Sequence, residues 1–268
     1  MSYTLDDLIY LMRRLRDRDS GCPWDLEQDF ASIVPHTLEE AYEVADTIER
    51  EDWNHLQDEL GDLLFQVIFY ARLGEEVQLF DFHRIVDQLV DKLIRRHPHV
   101  FPDGTLRGER RQEETDTRAV GETWEAIKQR EREDKQRPGV LDEIPLSLPG
   151  LSRAAKLQKR ASKVGFDWGE PLPILDKIEE EIGELREAIL SGDSDRIRDE
   201  MGDLLFAQVN LARHLEVDPE QAIRSTNAKF ERRFRFIESK VEAAGGVWSD
   251  FTLQQLDAWW DEAKNQGL

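Results

Sequence analysis

One acidic pattern occurs twice in this chain at a constant offset of 141 residues. Glu39-Glu40-x-x-Glu43 is followed after fifteen residues by Glu59-Leu60-Gly61-Asp62, and Glu180-Glu181-x-x-Glu184 is followed at the same interval by Glu200-Met201-Gly202-Asp203. The offset also lays Asp58-Glu59-Leu60-Gly61-Asp62-Leu63-Leu64-Phe65 on Asp199-Glu200-Met201-Gly202-Asp203-Leu204-Leu205-Phe206, with seven of eight positions identical. Self-similarity at fixed spacing marks a tandem duplication, so the chain must fold as two copies of one unit. Its 268 residues, 39% apolar, suffice for two modest cores rather than one large one.

Each copy reads as helical. Leu5, Leu8, Ile9, Met12 and Leu15 recur at helical spacing, as do Leu60, Leu63, Leu64, Val67, Ile68 and Ala71, and no strand-like alternation persists. Pro35 precedes Thr37, whose hydroxyl with the Glu40 side chain predicts a capping box opening a helix at Leu38. Polar breaks at Glu49 to Asp52 and at Ser191-Gly192-Asp193-Ser194 divide each copy into an antiparallel helical hairpin. The stretch from Arg107 to Pro149 is charged and punctuated by Pro138-Gly139, Pro145 and Pro149-Gly150, which reads as a linker region. Trp124-Glu125-x-x-Lys128 mirrors Trp260-Asp261-x-x-Lys264, so the expected division is a first module over 1–128, a linker over 129–145 and a second module over 146–268.

Charge and cysteine usage exclude several classes. A formal charge of -21 disfavours a nucleic acid polymer as partner, because a polyanion needs Lys and Arg to displace its counterions. Most of the 57 acidic residues read as a solvated surface. No apolar run of 18 residues and no secretion signal is seen, and Cys22 stands alone, so a soluble cytoplasmic protein without membrane contact is expected.

The repeated acids carry chemistry of their own. Residues three or four apart share a helix face, so Glu181 with Glu184, and Glu200 with Asp203, form carboxylate pairs that a hairpin brings together. Like charges on one face repel, and a cation among them offsets that cost. Mg²⁺ suits all-oxygen ligation and keeps waters for substrate phosphates. For a single copy, a solvated acidic face would be the simpler reading; two copies at identical spacing favour metal. Gly61 and Gly202 sit between the acids of their pairs, where a helical glycine costs about 1 kcal/mol. Close approach of a helix or ligand would explain them, and a relic of the duplication is the alternative.

At these residues the chain resembles the all-α nucleoside triphosphate pyrophosphohydrolases, and its two-module layout resembles the MazG group of that family. Cys22-Pro23-Trp24-Asp25, Arg95-Arg96-His97-Pro98-His99-Val100-Phe101, Val164-Gly165-Phe166-Asp167-Trp168 and Asn227-Ala228-Lys229-Phe230-Glu231-Arg232-Arg233-Phe234 extend the likeness over nearly the whole chain. The resemblance implies hydrolysis of a nucleoside triphosphate to monophosphate and pyrophosphate, broad over ribo- and deoxynucleotides, with Mg²⁺ or Mn²⁺. It implies metal ligation by Glu181, Glu184, Glu200 and Asp203, with Glu180 completing the shell or orienting water. Lys177, Asn227, Lys229, Arg233, Trp168 and Trp260 fall on its substrate side, and Glu40, Glu43, Glu59 and Asp62 form a possible first-module metal set. It further implies four-helix-bundle-like units completed by a homodimer.

Alternatives stay open for several of these. Lys229 and Arg233 could be a surface stripe, Asn227 could cap its helix, and Trp24, Phe166 and Trp168 could be packing residues, with Trp168 the nearest to a pocket. His97 and His99, which flank Pro98 and have no counterpart in the second copy, read as a turn rather than as ligands. Cys22 reads as a buried or inert thiol. Aligning Lys92 with Lys229 puts Arg96 under Arg233 and Trp124 under Trp260 but Val90 under Asn227, which points to the second module as the main catalyst. A di-iron protein would need Glu-x-x-His, which is absent at Glu43, Glu59, Glu184 and Glu200. An acidic helical adaptor and a narrower dUTP- or dCTP-type pyrophosphatase are the remaining rivals.

Overall fold

The computed structural model describes residues 2–108, 116–134 and 139–268, and every regular element among them is helical. The chain divides into two compact units, Met1–Lys135 and Gln136–Leu268. In the first, α1 (Leu5–Leu15), a short α2 (Pro23–Glu27), α3 (Val34–Glu49), α4 (Trp53–Glu76), α5 (Phe82–Arg96) and α6 (Thr117–Asp134) follow in order. The second holds α7 (Gly150–Ser162), α8 (Leu172–Ser191), α9 (Ser194–His214), α10 (Pro219–Ala243) and α11 (Leu253–Asn265). The tandem helical organisation expected from the repeat is therefore the architecture observed. Helix α6 runs on to Asp134, into the stretch read as a linker. Residues 109–115 and 135–138, and the side chains of Glu125 and Lys128, lie outside the described residues.

Both units repeat one plan. The hairpin α3–α4 packs with α1 and α5 against α4, and the hairpin α8–α9 packs with α7 and α10 against α9. The two hairpin turns show why the sequence folds this way. Gly192 adopts the left-handed conformation at φ 71°, and Asp193 then caps α9 by accepting from the backbone N–H groups of Asp195 and Arg196. Its counterpart Asp52 caps α4 by accepting from the His55 N–H, but the left-handed position is filled by Glu51, at φ 55°. A residue with a Cβ is strained there and glycine is not.

The start of α3 differs from expectation. The helix opens at Val34 rather than Leu38, because Pro35 lies in the first turn, where its missing N–H leaves no intrahelical bond unmade. Thr37 is thus already inside the helix, and its hydroxyl donates to the Ile33 carbonyl instead of forming a capping box with Glu40. Glu40 is released to the acidic face.

The first unit has a closed core. Met12, Ile33, Ile68, Phe69, Ala71, Leu73 and Phe82 are buried together, with Phe69 and Met12 fully inaccessible. Arg16 is buried above it, its guanidinium 5.2 Å from the Phe69 ring centroid and ion-paired to Glu76 at 2.8 Å. The expected apolar stripe of α4 is only partly used: Ile68 and Ala71 are buried while Leu60, Leu64 and Val67 remain exposed. Met201 and Leu205, at the corresponding positions of α9, are exposed as well.

Candidate active site

In the second unit the α8–α9 hairpin gathers Glu181, Glu184 and Glu200, with one carboxylate oxygen of each within 4.8 Å of the others. Glu181 is 5% exposed. Lys177, one turn earlier on α8, donates to Glu181 at 2.8 Å and to Glu180 at 2.9 Å, and these two carboxylates hold its ammonium firmly protonated. The other oxygen of Glu181, Oε2, is buried with no hydrogen-bond partner. Burial together with the Glu200 and Glu181 charges raises the Glu184 carboxyl above its ordinary value. A buried acceptor without a donor, in a cluster of repelling carboxylates, fits a hard divalent cation. Asp203 lies outside the triple but on the wall of the adjoining cavity. Glu180 is also outside it, exposed and committed to Lys177.

The first unit contains the matching triple of Glu40, Glu43 and Glu59. Glu40 is raised by burial first, then by Asp62 and Glu43. The position of Lys177 is held there by His36, which faces Glu39 at 3.6 Å. Among the described residues neither acidic group includes a histidine. His97 instead caps α5 at the turn before Pro98, with Nδ1 2.7 Å from the Leu93 carbonyl. Cys22 is half-buried at the start of α2.

What separates the two units is the space beside the acids. In the second, a cavity of about 400 Å³ opens onto Lys177, Glu181 and Asp203, with Leu157, Ile174, Phe206 and Ala207 as apolar walls and Trp168 at its edge. Gln158, Asn210, Asp167 and Arg213 supply its polar groups. The equivalent positions in the first unit carry bulkier apolar residues. At the offset of 141, Asn210 stands where the first copy has Phe69, and matching Leu11-Met12-Arg13-Arg14 with Leu157-Gln158-Lys159-Arg160 puts Gln158 at the position of Met12. The two largest fully buried side chains of the closed core are thus replaced by two amides. These four polar residues were missed in the sequence. The Phe69–Asn210 mismatch inside an otherwise repeated segment was the available signal.

Around the cavity, Arg213 donates to Asn210 Oδ1 at 2.7 Å and is ion-paired to Asp167, which also faces His214 Nε2 at 3.0 Å. Burial opposes ionisation of Asp167, yet Arg213 and then His214 hold its carboxyl below the ordinary range. Gln158 Nε2 donates to the Phe206 carbonyl at 2.8 Å. Trp168 takes its place on the cavity rim. Trp24 and Phe166 are not packing residues: both are more than half exposed, and Phe166 also borders the cavity.

The structure does not bring the α10 residues to the acids within one chain. Asn227 and Lys229 are exposed, and neither they nor Arg233 and Trp260 line the cavity. Asn227 does not cap its helix either. Helix α10 starts eight residues earlier, with Asp218 accepting from the Gln221 N–H. Arg233 lies over the Trp260 ring at 5.4 Å and donates to the Leu268 carbonyl, while Phe230 packs on Trp260 at 5.3 Å. The first unit repeats the arrangement, with Arg96 over Trp124 at 6.0 Å. There, however, Arg96 is tied to Glu131 at 2.6 Å, and Arg96 with Arg95 draws the Glu131 carboxyl down to about 2. A Cβ at Gly61 or Gly202 would meet nothing within 4 Å, so the close approach expected at these glycines does not occur among the described residues.

Known proteins resemble this chain in sequence. The profile of the MazG nucleotide pyrophosphohydrolase domain matches residues 28–101 and 170–235, the segments that carry the two acidic triples. A nucleoside triphosphate pyrophosphohydrolase of Escherichia coli K12 is 48% identical over 268 residues, covering 98% of each chain. The nucleoside triphosphate pyrophosphohydrolase/pyrophosphatase MazG of Thermotoga maritima is 39% identical over 97% of this chain and 95% of its own length. The uncharacterized protein YabN of Bacillus subtilis is 40% identical over 95% of this chain, which spans half of that protein. With a duplicated helical plan, two acidic triples at one spacing and full-length likeness to such relatives, the chain belongs to the MazG nucleotide pyrophosphohydrolase family.

Proposed function

We propose that the chain hydrolyses nucleoside triphosphates between the α and β phosphates, releasing monophosphate and pyrophosphate in a Mg²⁺-dependent reaction that Mn²⁺ also supports, over both ribo- and deoxynucleotides. The relatives' names support the reaction class. The observation that carries it to this chain is the carboxylate triple with its unpartnered Glu181 oxygen at the mouth of a cavity large enough for a small ligand.

The division of labour follows from position. Glu181, Glu184 and Glu200, joined by Asp203, would hold the cation, which when bound supplies positive charge to the phosphate oxygens and the leaving pyrophosphate. Lys177 keeps Glu181 in place and offers a fixed positive charge beside it. Glu180, exposed and one residue from the triple, is placed to orient water. Trp168 borders the space where the nucleoside would enter. The second module is the working one in this reading, since the first has buried Met12 and Phe69 where the second has two cavity-lining amides, and has His36 in place of Lys177. The exchange of Met12 and Phe69 for two amides is independent support for the asymmetry that Val90 and Asn227 suggest.

Lys229, Arg233, Asn227 and Trp260 remain assigned to the triphosphate side. Because one chain keeps them away from the cavity, this assignment goes with a homodimer in which a second copy supplies α10. The exposed Met201, Leu205 and Phe206 beside an open Gly202 support a helical partner on that face. The test is pyrophosphate release across all common ribo- and deoxynucleoside triphosphates, with Mg²⁺ present or chelated. Monophosphate and pyrophosphate are expected only with the cation. Orthophosphate with nucleoside diphosphate, or full turnover in chelator, overturns the proposal.

A further inference from the structure

The cavity beside the second acidic triple contains a hydrogen-bonding pair whose polarity is set by its surroundings. Gln158 is 8% exposed and Asn210 is 4% exposed, so both amides are withdrawn from bulk water. The Phe206 carbonyl can only accept, so the group facing it is the Gln158 Nε2 donor. That leaves Gln158 Oε1 as a buried acceptor which meets no donor. Arg213 can only donate, so the Asn210 atom it meets is the Oδ1 acceptor. The Nδ2 donor of Asn210 then has no partner among the described residues. Beside the unpartnered Glu181 Oε2 and Arg213 Nε, this amide acceptor and this amide donor border a largely apolar space whose rim carries Trp168 and Phe166.

An unsatisfied buried amide oxygen costs about 1–3 kcal/mol, and the first module avoids that cost by carrying Met12 and Phe69 at these two positions. The second module accepts it at Gln158 and sets a second buried amide, Asn210, beside it on the same cavity, next to the cluster fitted for phosphate chemistry. We infer that Gln158 and Asn210 read the hydrogen-bonding edge of the nucleobase, Gln158 Oε1 accepting a ring or exocyclic N–H and Asn210 Nδ2 donating to a neighbouring acceptor. This rests on the hydrolase reading above and adds the residues by which the base is held. Each common base presents an N–H donor beside an acceptor, so the pair suits a broad substrate range while rejecting a base without the donor. The aromatic rim suits the flat face of the ring.

The test compares ATP with purine riboside triphosphate, which lacks only the exocyclic amine, on wild type and on Gln158→Met, the residue the first module carries at that position. Wild type should favour ATP by roughly 10- to 100-fold in kcat/KM, as expected for a site with a buried polar group left unpaired by the analogue. Gln158→Met should bring that preference to within about threefold, the change appearing in the KM for ATP. The rise in melting temperature on adding Mg²⁺ alone should persist, which separates a lost base contact from a damaged carboxylate cluster. Gln158→Leu repeats the measurement should Gln158→Met not fold. If wild type hydrolyses both nucleotides equally, or the variant loses both in the same proportion, the base-reading role is wrong while the hydrolase reading stands. If wild type releases no pyrophosphate from any triphosphate, both fall.

Discussion

Truncating Phe69 to alanine should unlock the closed core of the first unit while sparing the chemistry of the second. The ring is fully buried, and Phe→Ala at such a site costs about 3–5 kcal/mol. Two contacts push the cost toward the upper end. The Arg16 guanidinium lies 5.2 Å from the ring centroid, a cation–π contact of about 0.5–1 kcal/mol or more when desolvated. Phe65 meets Phe69 edge-on at 6.0 Å, a geometry contributing about 0.5–1.5 kcal/mol beyond area burial. Part of both is already inside the truncation range, so a loss of about 4–5 kcal/mol is expected. For a unit of about 135 residues, each kcal/mol shifts the melting temperature by roughly 3–5 °C, giving a drop of more than about 10 °C. Calorimetry with hydrogen exchange on the full chain should place the lost protection in α1 and α4. Pyrophosphate release, assayed below the transition, should stay within about twofold of wild type. A loss under about 1 kcal/mol, or protection lost equally in α8 and α9 with activity falling in step, would refute the reasoning.

Two further outcomes follow from the hairpins and the acids. Glu51→Gly should stabilise the first unit by about 1 kcal/mol by relieving the left-handed strain at φ 55°, and Gly192→Glu should destabilise the second by a similar amount; thermal melts with opposite signs are the check. Burial and the Glu200 and Glu181 charges hold Glu184 above 4.5, so the folded state binds its proton more readily than the unfolded chain. The cation-free protein should gain stability as pH falls through that raised value, with no further gain below about 4.5. Glu184→Gln should melt higher than wild type in chelator, lose this pH dependence and lose the rise on adding Mg²⁺; a cation-induced rise as large as that of wild type would contradict the ligand assignment.

The repeat made the architecture legible before any coordinate was known. The 141-residue offset and the breaks around Asp52 and Asp193 locate both hairpins, because capping residues and helical periodicity act over a few residues. The helix start at Val34 was hidden by a local competition, in which Pro35 in the first turn outweighed the Thr37–Glu40 box. The carboxylate triples were readable from i, i+3 spacing across one hairpin. The cavity was not, since a polar residue on an amphipathic helix looks like surface until its packing neighbours are known. Asn210 against Phe69 was the clue in the repeat itself. Spacing puts Lys229 and Arg233 on one face of α10, but which element that face meets is a tertiary matter, and within one chain it does not meet the acids.

The most direct test of the account compares steady-state pyrophosphate release from two double variants, with oligomeric state followed by light scattering. Glu43→Gln with Asp62→Asn should leave most triphosphate hydrolysis intact, because the first module carries Met12 and Phe69 where the second has the cavity-lining amides Gln158 and Asn210. Glu184→Gln with Asp203→Asn should reduce it by about two orders of magnitude or more at unchanged helical content and assembly, the scale expected when electrostatic stabilisation of the transition state is removed. Equal loss in the two, or survival of hydrolysis in the second, would contradict the assignment of catalysis to the α8–α9 carboxylates.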